Sequence, residues 1–322
     1  MRPLALKNGP PKQPGELIWR YLKAHNRWPG TALACRRKPS GKKPDITRDV
    51  TDMTNGTVSG RTALITGASA GIGKAFAEVF AAKGWNVVLT ARRAERREAL
   101  ASELSAKHNI AATPIALDLA DPESVQRLVA ELGARGLAID GLVNNAGYGV
   151  PGYYARTAWK EQKDFLQVLV TAPCELTHAL LPGMIERRFG RIVNVASVAG
   201  LIPGTPGHTL YAPAKAFMIK FSEALLLENR PRNVLTTALC PGFTHTEFHD
   251  VAGVRKRVAK FGRAGWSAAA EGAEAGYDGV MRGRSIVVTG RRSKQIALLM
   301  KLLPEPLALR MVAGRAQSFR AE

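Results

Sequence analysis

Three cysteines in 322 residues, Cys35, Cys174 and Cys240, are too few and too scattered to suggest a disulfide framework. They form no C-x-x-C pair and have no histidine cluster beside them, so no zinc or other metal site is expected. That usage fits a reducing, cytoplasmic compartment. Also missing is any uninterrupted apolar run near the roughly 20 residues that cross a bilayer, and the N-terminus lacks the apolar stretch of a secretory signal. A soluble or membrane-peripheral protein is expected. Acidic residues are scarce beside basic ones: 26 Asp and Glu face 46 Lys and Arg, for a formal charge of +20. Such an excess ordinarily raises nucleic acid or an anionic membrane as a partner. Its distribution weakens that idea, because residues 1–52 hold twelve Lys and Arg against four Asp and Glu, and most of the rest is scattered. Denser runs occur at Arg255, Lys256 and Arg257 and again from Arg291 to Lys294. No nucleic-acid motif accompanies them, so no nucleic-acid partner is expected.

Residues 1–52 are rich in Pro, Lys and Arg and keep neither a helical nor a strand period. They read as a basic, mostly disordered extension. A domain over residues 53–290 follows, and residues 291–322 form a basic amphipathic tail. From Arg61 onward short β-rich runs alternate with helical stretches, the pattern of a parallel sheet covered by helices on both faces. The spacing places strands at Thr62–Thr66, Asn86–Ala91, Thr113–Leu117, Gly141–Asn144, Arg191–Ala196, Leu235–Leu239 and Ser285–Thr289. Seven strands with helical crossovers make one α/β, doubly wound, Rossmann-type domain.

The first strand runs directly into Thr66-Gly67-Ala68-Ser69-Ala70-Gly71-Ile72-Gly73, and an amphipathic helix from Lys74 to Lys83 follows. Glycine permits a tight turn and close approach to a pyrophosphate, and the free N–H groups and positive dipole end of the helix favour an anion. The second strand ends in Thr90-Ala91-Arg92-Arg93, without the carboxylate that would meet the ribose hydroxyls of NAD. Arg92 or Arg93 can instead pair with a 2′-phosphate, so the reading is NADP(H). The plainer alternative is that both arginines open a solvated helix.

Tyr211-Ala212-Pro213-Ala214-Lys215 opens a long helical run, and its four-residue spacing sets Tyr211 and Lys215 on one face. A cation near a phenol favours the phenolate, so Lys215 is expected to lower the pKa of Tyr211. Ser197 lies 14 residues upstream, after the apolar run Val193 to Ala196 that delivers it to the C-terminal end of a strand. Ligands of open α/β sheets bind at that end.

In this order, Thr66 to Gly73, Asp118-Leu119, Asn144-Asn145-Ala146-Gly147, Ser197, Tyr211-x-x-x-Lys215 and Pro241-Gly242 resemble the short-chain dehydrogenase/reductase family, from about Met53 to Gly290. The resemblance implies an oxidoreductase that moves a hydride between NADP(H) and a carbonyl or alcohol substrate. It gives Gly67, Ser69, Gly71, Ile72 and Gly73 to the cofactor phosphates, and Asp118 and Leu119 to adenine. Asn145, Ala146 and Gly147 would line the adenosine ribose, and Pro241, Gly242 and Thr244 would close over the nicotinamide. Ser197 would hold the substrate oxygen, Tyr211 would transfer the proton, and Lys215 would bind the nicotinamide ribose and poise the tyrosine. It also implies a homodimer or homotetramer.

One departure stands out. The family places an asparagine in the helix before the serine strand, where it anchors a water of the proton relay. Here Leu169 occupies that place, 28 residues before Ser197. Leucine cannot hydrogen-bond, so the relay is altered, slow, or served by another group such as Thr171. An NADP(H)-binding regulator with weak or no catalysis is therefore the alternative function. His208, His245 and His249 show no metal spacing and read as surface or substrate-loop residues. Trp159, Trp266 and the paired Tyr153 and Tyr154 either line a pocket or, on the plainer reading for isolated aromatics, serve ordinary packing. A substrate loop over Thr244 to Arg284 carries Phe248, Val251, Val254, Val258, Phe261 and Trp266 and suits a lipophilic substrate. Ile296 to Arg315 gives two short amphipathic pieces around Pro304 and Pro306. They either lie on an anionic membrane or cover the cleft or a subunit interface.

Overall fold

A computed structural model of the chain describes residues 60–242, 244 and 268–316. The N-terminal extension, Met53, and most of the substrate loop, with His245, His249, Phe248, Val251, Val254, Val258, Phe261 and Trp266, lie outside the described residues. So do Cys35 and the run Arg255 to Arg257. The strands are β1 (Thr62–Thr66), β2 (Asn86–Ala91), β3 (Ala112–Ala116), β4 (Gly141–Asn144), β5 (Gly190–Val195), β6 (Val234–Cys240) and β7 (Ile286–Val288). They form one seven-stranded sheet in the order β3-β2-β1-β4-β5-β6-β7. Every adjacent pair is parallel.

The helices are α1 (Gly71–Ala82), α2 (Ala94–His108), α3 (Ser124–Ala134), α4 (Trp159–Leu166), α5 (Ala172–Glu186), α6 (Tyr211–Asn229), α7 (Ala269–Met281), α8 (Arg291–Leu302) and α9 (Glu305–Ala316). A wider π-turn, Gln167–Thr171, joins α4 to α5. The central strands β1, β5 and β6 are buried along their whole length, as parallel strands covered on both faces must be. On one face Phe76 and Phe80 of α1 and Tyr277 of α7 join Trp85 in a buried cluster. Phe80 meets Trp85 and Tyr277 edge-on at 5.1 and 5.0 Å, contacts worth about 0.5–1.5 kcal/mol each beyond their burial. On the other face Leu128 of α3, Phe165 of α4, Leu176 of α5 and Ala214 of α6 cover the sheet. The run Trp159–Glu186 is long and apolar enough to pass for a membrane span, but Phe165, Leu169, Leu176 and Met184 within it belong to this core.

Strand order reverses between β1 and β4. The loops leaving the C-terminal ends of those two strands therefore diverge and open a crevice, the place where such sheets take ligands. The glycine-rich loop follows β1 there, and the segment Asn145 to Gly147 follows β4. Pro304 breaks the tail into α8 and α9, because it can neither continue the preceding helix nor donate a backbone hydrogen bond.

Candidate active site

The glycine-rich loop is held shut from β4. The Thr66 hydroxyl accepts the backbone N–H of Asn145 at 3.0 Å and of Ala146 at 3.1 Å, and donates to the Val143 carbonyl at 3.2 Å. The Asn145 amide returns the grip, donating to the carbonyls of Thr66 at 2.9 Å and Gly67 at 3.3 Å. Gly67 and Gly71 turn at φ +66° and +57°. A methyl group on Gly73 would stand 2.3 Å from the Gly67 carbonyl oxygen, so the loop closes only with glycine there.

Helix α1 begins at Gly71, three residues before the amphipathic pattern announces it, and neither a capping side chain nor an acidic residue covers its first turn. Its N–H groups are left for an anion. Arg93 reaches over the loop, with its Nη2 and Nε 3.1 and 3.3 Å from the Ser69 hydroxyl. These residues fit an anionic dinucleotide. The sequence offered Arg92 or Arg93 and gave Ser69 to the phosphates, without showing that Arg93 meets Ser69. Arg92 and Asp118 both act electrostatically on Tyr148, which the sequence reading passed over although it directly follows Gly147. Burial raises the Tyr148 phenol above the usual tyrosine value, and its ring meets Phe165 edge-on at 5.8 Å. Asp118 is exposed, while the Leu119 side chain joins the core.

Ser197 stands just past the end of β5 in extended backbone. Its hydroxyl accepts the Ala199 N–H at 3.1 Å and thereby caps the short turn Val198–Leu201. Tyr211 and Lys215 sit in the first two turns of α6, where Pro213 is tolerated because that N–H has no helical partner. A buried chain of side chains locks α6 to the sheet. Asn144 of β4 donates to Asn194 of β5 at 2.8 Å, and Asn194 donates to Ser222 of α6 at 2.9 Å. The same Asn144 amide reaches Thr177 of α5 at 3.3 Å. Each such buried bond contributes about 1 kcal/mol net, and more would be lost by orphaning one partner.

The Lys215 ammonium donates to the Val195 carbonyl at 2.7 Å and lies 5.8 Å from the centroid of the Tyr211 ring. Burial drives its pKa down to about 8. Tyr211 keeps partial exposure along its length, but its hydroxyl end is desolvated. That burial pushes its pKa up to about 12, against a smaller pull from the hydrogen bond with Ser197. The lysine was expected to lower the phenol. The cost of desolvating the phenolate outweighs a cation held at that distance by a backbone carbonyl. Tyr211 is thus a protonated acid at neutral pH. Behind Lys215 the Cys240 thiol is raised by burial to about 12 and stays inert. Cys174 and Cys240 are both free.

Leu169 lies in the π-turn, 2 % exposed. Its Cγ would be 3.5 Å from a methyl group on Gly147. It is therefore a packing residue between α4 and the segment after β4. Thr171, the suggested replacement for the missing polar group, is exposed. His208 lies near Tyr211, ring centroids 6.5 Å apart, and its segment bridges to Gly152.

The Pro241-Gly242 end of the crevice is closed by a contact that sequence spacing could not reveal. Ser293, in the first turn of α8, is buried against Gly242, where an added methyl group would fall 2.0 Å from its hydroxyl. The Val198 N–H donates to the Pro241 carbonyl at 3.0 Å, so the turn after Ser197, the Pro241 segment and the C-terminal helix are in contact. Thr244 is buried and donates to the Gly242 carbonyl at 3.3 Å.

A parallel sheet with its crevice at the β1/β4 divergence, a glycine loop under an arginine, and a Ser–Tyr–Lys cluster at the end of β5 define a dinucleotide-dependent oxidoreductase of the short-chain type. The short chain dehydrogenase family profile matches residues 61–255, and the chain belongs to that family. The 3-oxoacyl-[acyl-carrier-protein] reductase of Aquifex aeolicus is 36% identical over 190 residues, covering 59% of this chain and 76% of the relative. Nodulation protein G of Rhizobium sp. (strain N33) is 38% identical over 193 residues, or 60% of this chain and 77% of that one. Among solved structures, a short-chain dehydrogenase from Sphingobium yanoikuyae in complex with NADPH superposes with a TM-score of 0.66 at 30% identity. That match covers 76% of this chain and 96% of that one. L-sorbose reductase from Gluconobacter frateurii, complexed with NADPH and L-sorbose, gives a TM-score of 0.64 at 28% identity, over 72% of this chain and 96% of that one.

Proposed function

We propose that the chain is an NADP(H)-dependent reductase of a lipophilic ketone or aldehyde, with the reverse oxidation of the alcohol available to the same site. The observation that carries the reading is the desolvated cluster of Ser197, Tyr211 and Lys215 at the C-terminal end of β5, beside a loop fitted to an anionic dinucleotide. Gly67, Ser69, Gly71, Ile72 and Gly73 would cradle the pyrophosphate, and Arg93, with Arg92, would pair with the 2′-phosphate that distinguishes NADP from NAD. When bound, the dinucleotide supplies or accepts the hydride at the carbonyl carbon. The protein's own work is to hold and protonate. Ser197 donates a hydrogen bond to the substrate oxygen, and Tyr211, protonated at neutral pH, delivers its phenolic proton to that oxygen. Lys215 then offers positive charge to the phenolate that remains.

Steady-state rates with NADPH and NADH test the cofactor half. The reading expects NADPH to be favoured, and Arg93→Ala to reduce that preference by at least about tenfold, as loss of a charge-assisted pair implies. Equal efficiency with both cofactors in the parent chain overturns it. A second reading, a dinucleotide-binding regulator, draws on Leu169, which leaves the family's proton relay without its polar side chain. NADPH binding without turnover on a broad carbonyl panel would favour that reading. The exposed Phe217 and Leu227 of α6 support a homodimer through this helix, checked by light scattering of the purified chain. A monomer at all concentrations excludes it.

A further inference from the structure

The two C-terminal helices each have an occupied face and a face that nothing among the described residues covers. Inward, Met300 of α8 and Ala308 and Val312 of α9 form a small buried cluster against Ile202, five residues past Ser197. Ser293 anchors the start of α8 on Gly242. Outward, the helices present Ile296, Leu298, Leu299, Leu302, Leu307 and Leu309, six of the eleven large apolar side chains exposed among the described residues. Leu298 and Leu302 are 60% and 74% exposed, values at which an ordinary surface helix carries polar side chains.

Charge accompanies these leucines. Arg291, Lys294 and Lys301 share the face of Leu298 and Leu302, since positions 291, 294, 298, 301 and 302 fall on one side of a helix of 3.6 residues per turn. Arg292 and Arg310 add to the total, against Glu305 alone. None of these five basic residues forms an ion pair among the described residues. A second copy meeting this face about a twofold axis would bring two such clusters together and repel. An anionic lipid surface instead accepts leucines into its headgroup and acyl boundary while its phosphates meet the flanking cations.

We infer that the outer face of α8 and α9 is a membrane-docking surface for anionic lipid, which seats the catalytic side of the domain on the bilayer. Its inner face then connects the docked surface directly to the turn after Ser197 and to the segment at Pro241-Gly242. A carbonyl compound dissolved in the bilayer would have only the thickness of this helix pair to cross. The docking itself does not depend on the redox reading, because it concerns surface chemistry alone.

Sedimentation of the full chain with vesicles tests the inference. Equal mixtures of phosphatidylglycerol and phosphatidylcholine are compared with pure phosphatidylcholine, at low and at high salt. The expected result is co-sedimentation with the anionic vesicles only, weakened by salt. Leu298→Glu combined with Leu302→Glu should lower vesicle affinity at least about tenfold, with thermal melting and NADPH binding unchanged. Three outcomes overturn it: the parent chain stays in the supernatant with anionic vesicles; the double variant sediments like the parent, which would assign binding to another basic part of the chain; or the double variant converts a dimer to a monomer, which would make the face a subunit interface.

Discussion

Replacing Lys215 by methionine should stabilise the cofactor-free protein while abolishing its activity. An unfolded lysine holds its proton up to pH 10.5, whereas burial lets the folded one release it near pH 8. That fall corresponds to about 3 kcal/mol which burying the cation costs the folded state at neutral pH. Methionine is of similar length and carries no charge, but it leaves the Val195 carbonyl without its 2.7 Å donor, a loss of about 1 kcal/mol. The net expectation at pH 7 is a gain of about 2 kcal/mol for Lys215→Met. Between pH 8 and 10.5 the unfolded parent chain binds more protons than the folded one, so the parent's stability rises with pH across that window and the variant's advantage shrinks. It should shrink by about 1 kcal/mol between pH 7 and 9. Cys240 and Tyr211, both raised to about 12, act oppositely and lose stability above pH 9 and 10, but they are present in both chains and largely cancel in the difference. Urea unfolding followed by the fluorescence of buried Trp85 reads the difference at each pH. A variant less stable than the parent at pH 7, or an advantage that does not change between pH 7 and 9, would refute the argument that desolvation of Lys215 governs this site.

Gly73→Ala should weaken dinucleotide binding by at least about tenfold in a fluorescence titration, because its methyl group meets the Gly67 carbonyl at 2.3 Å and the turn must open. Unchanged affinity would show that the loop is looser than its hydrogen bonds imply. Gly242→Ala should raise the KM for NADPH through its clash with the Ser293 hydroxyl, and Ser293→Ala in the same chain should restore much of the loss. Additive effects of the two substitutions would separate α8 from the nicotinamide side. Leu169→Asn should raise kcat at saturating substrate and lower stability by about 2 kcal/mol, since a polar amide replaces a leucine that is 2 % exposed. A lower or unchanged kcat in a folded variant would count against a relay defect.

The sheet was legible because its chemistry is local. Central parallel strands are buried on both faces, so β1, β5 and β6 are rich in apolar residues even where Arg191, Asn194, Thr236 and Thr237 interrupt them, and each proposed strand falls within one residue of its observed limits. The start of α1 was hidden because Gly71 and Gly73 carry no helical period, although the backbone turns helical as soon as the loop closes. What the sequence could not display were contacts between distant segments. Arg93 meets Ser69 across 24 residues, Asn145 grips Gly67 across 78, and Ser293 presses on Gly242 from a helix that reads only as a tail. The direction of the Tyr211 shift was missed for a related reason. Spacing places Lys215 on the same helical face, but only packing reveals that the phenol is desolvated and the ammonium held by Val195.

The central claim is that Tyr211 transfers the proton in an NADPH-linked carbonyl reduction, and its most direct test is NADPH oxidation across a panel of lipophilic ketones and aldehydes, run with the parent chain and with Tyr211→Phe. The account predicts turnover by the parent and loss of that turnover, with NADPH binding retained, in Tyr211→Phe. Parent protein that binds NADPH but reduces nothing in the panel, or a Tyr211→Phe chain that keeps the parent rate, would contradict it.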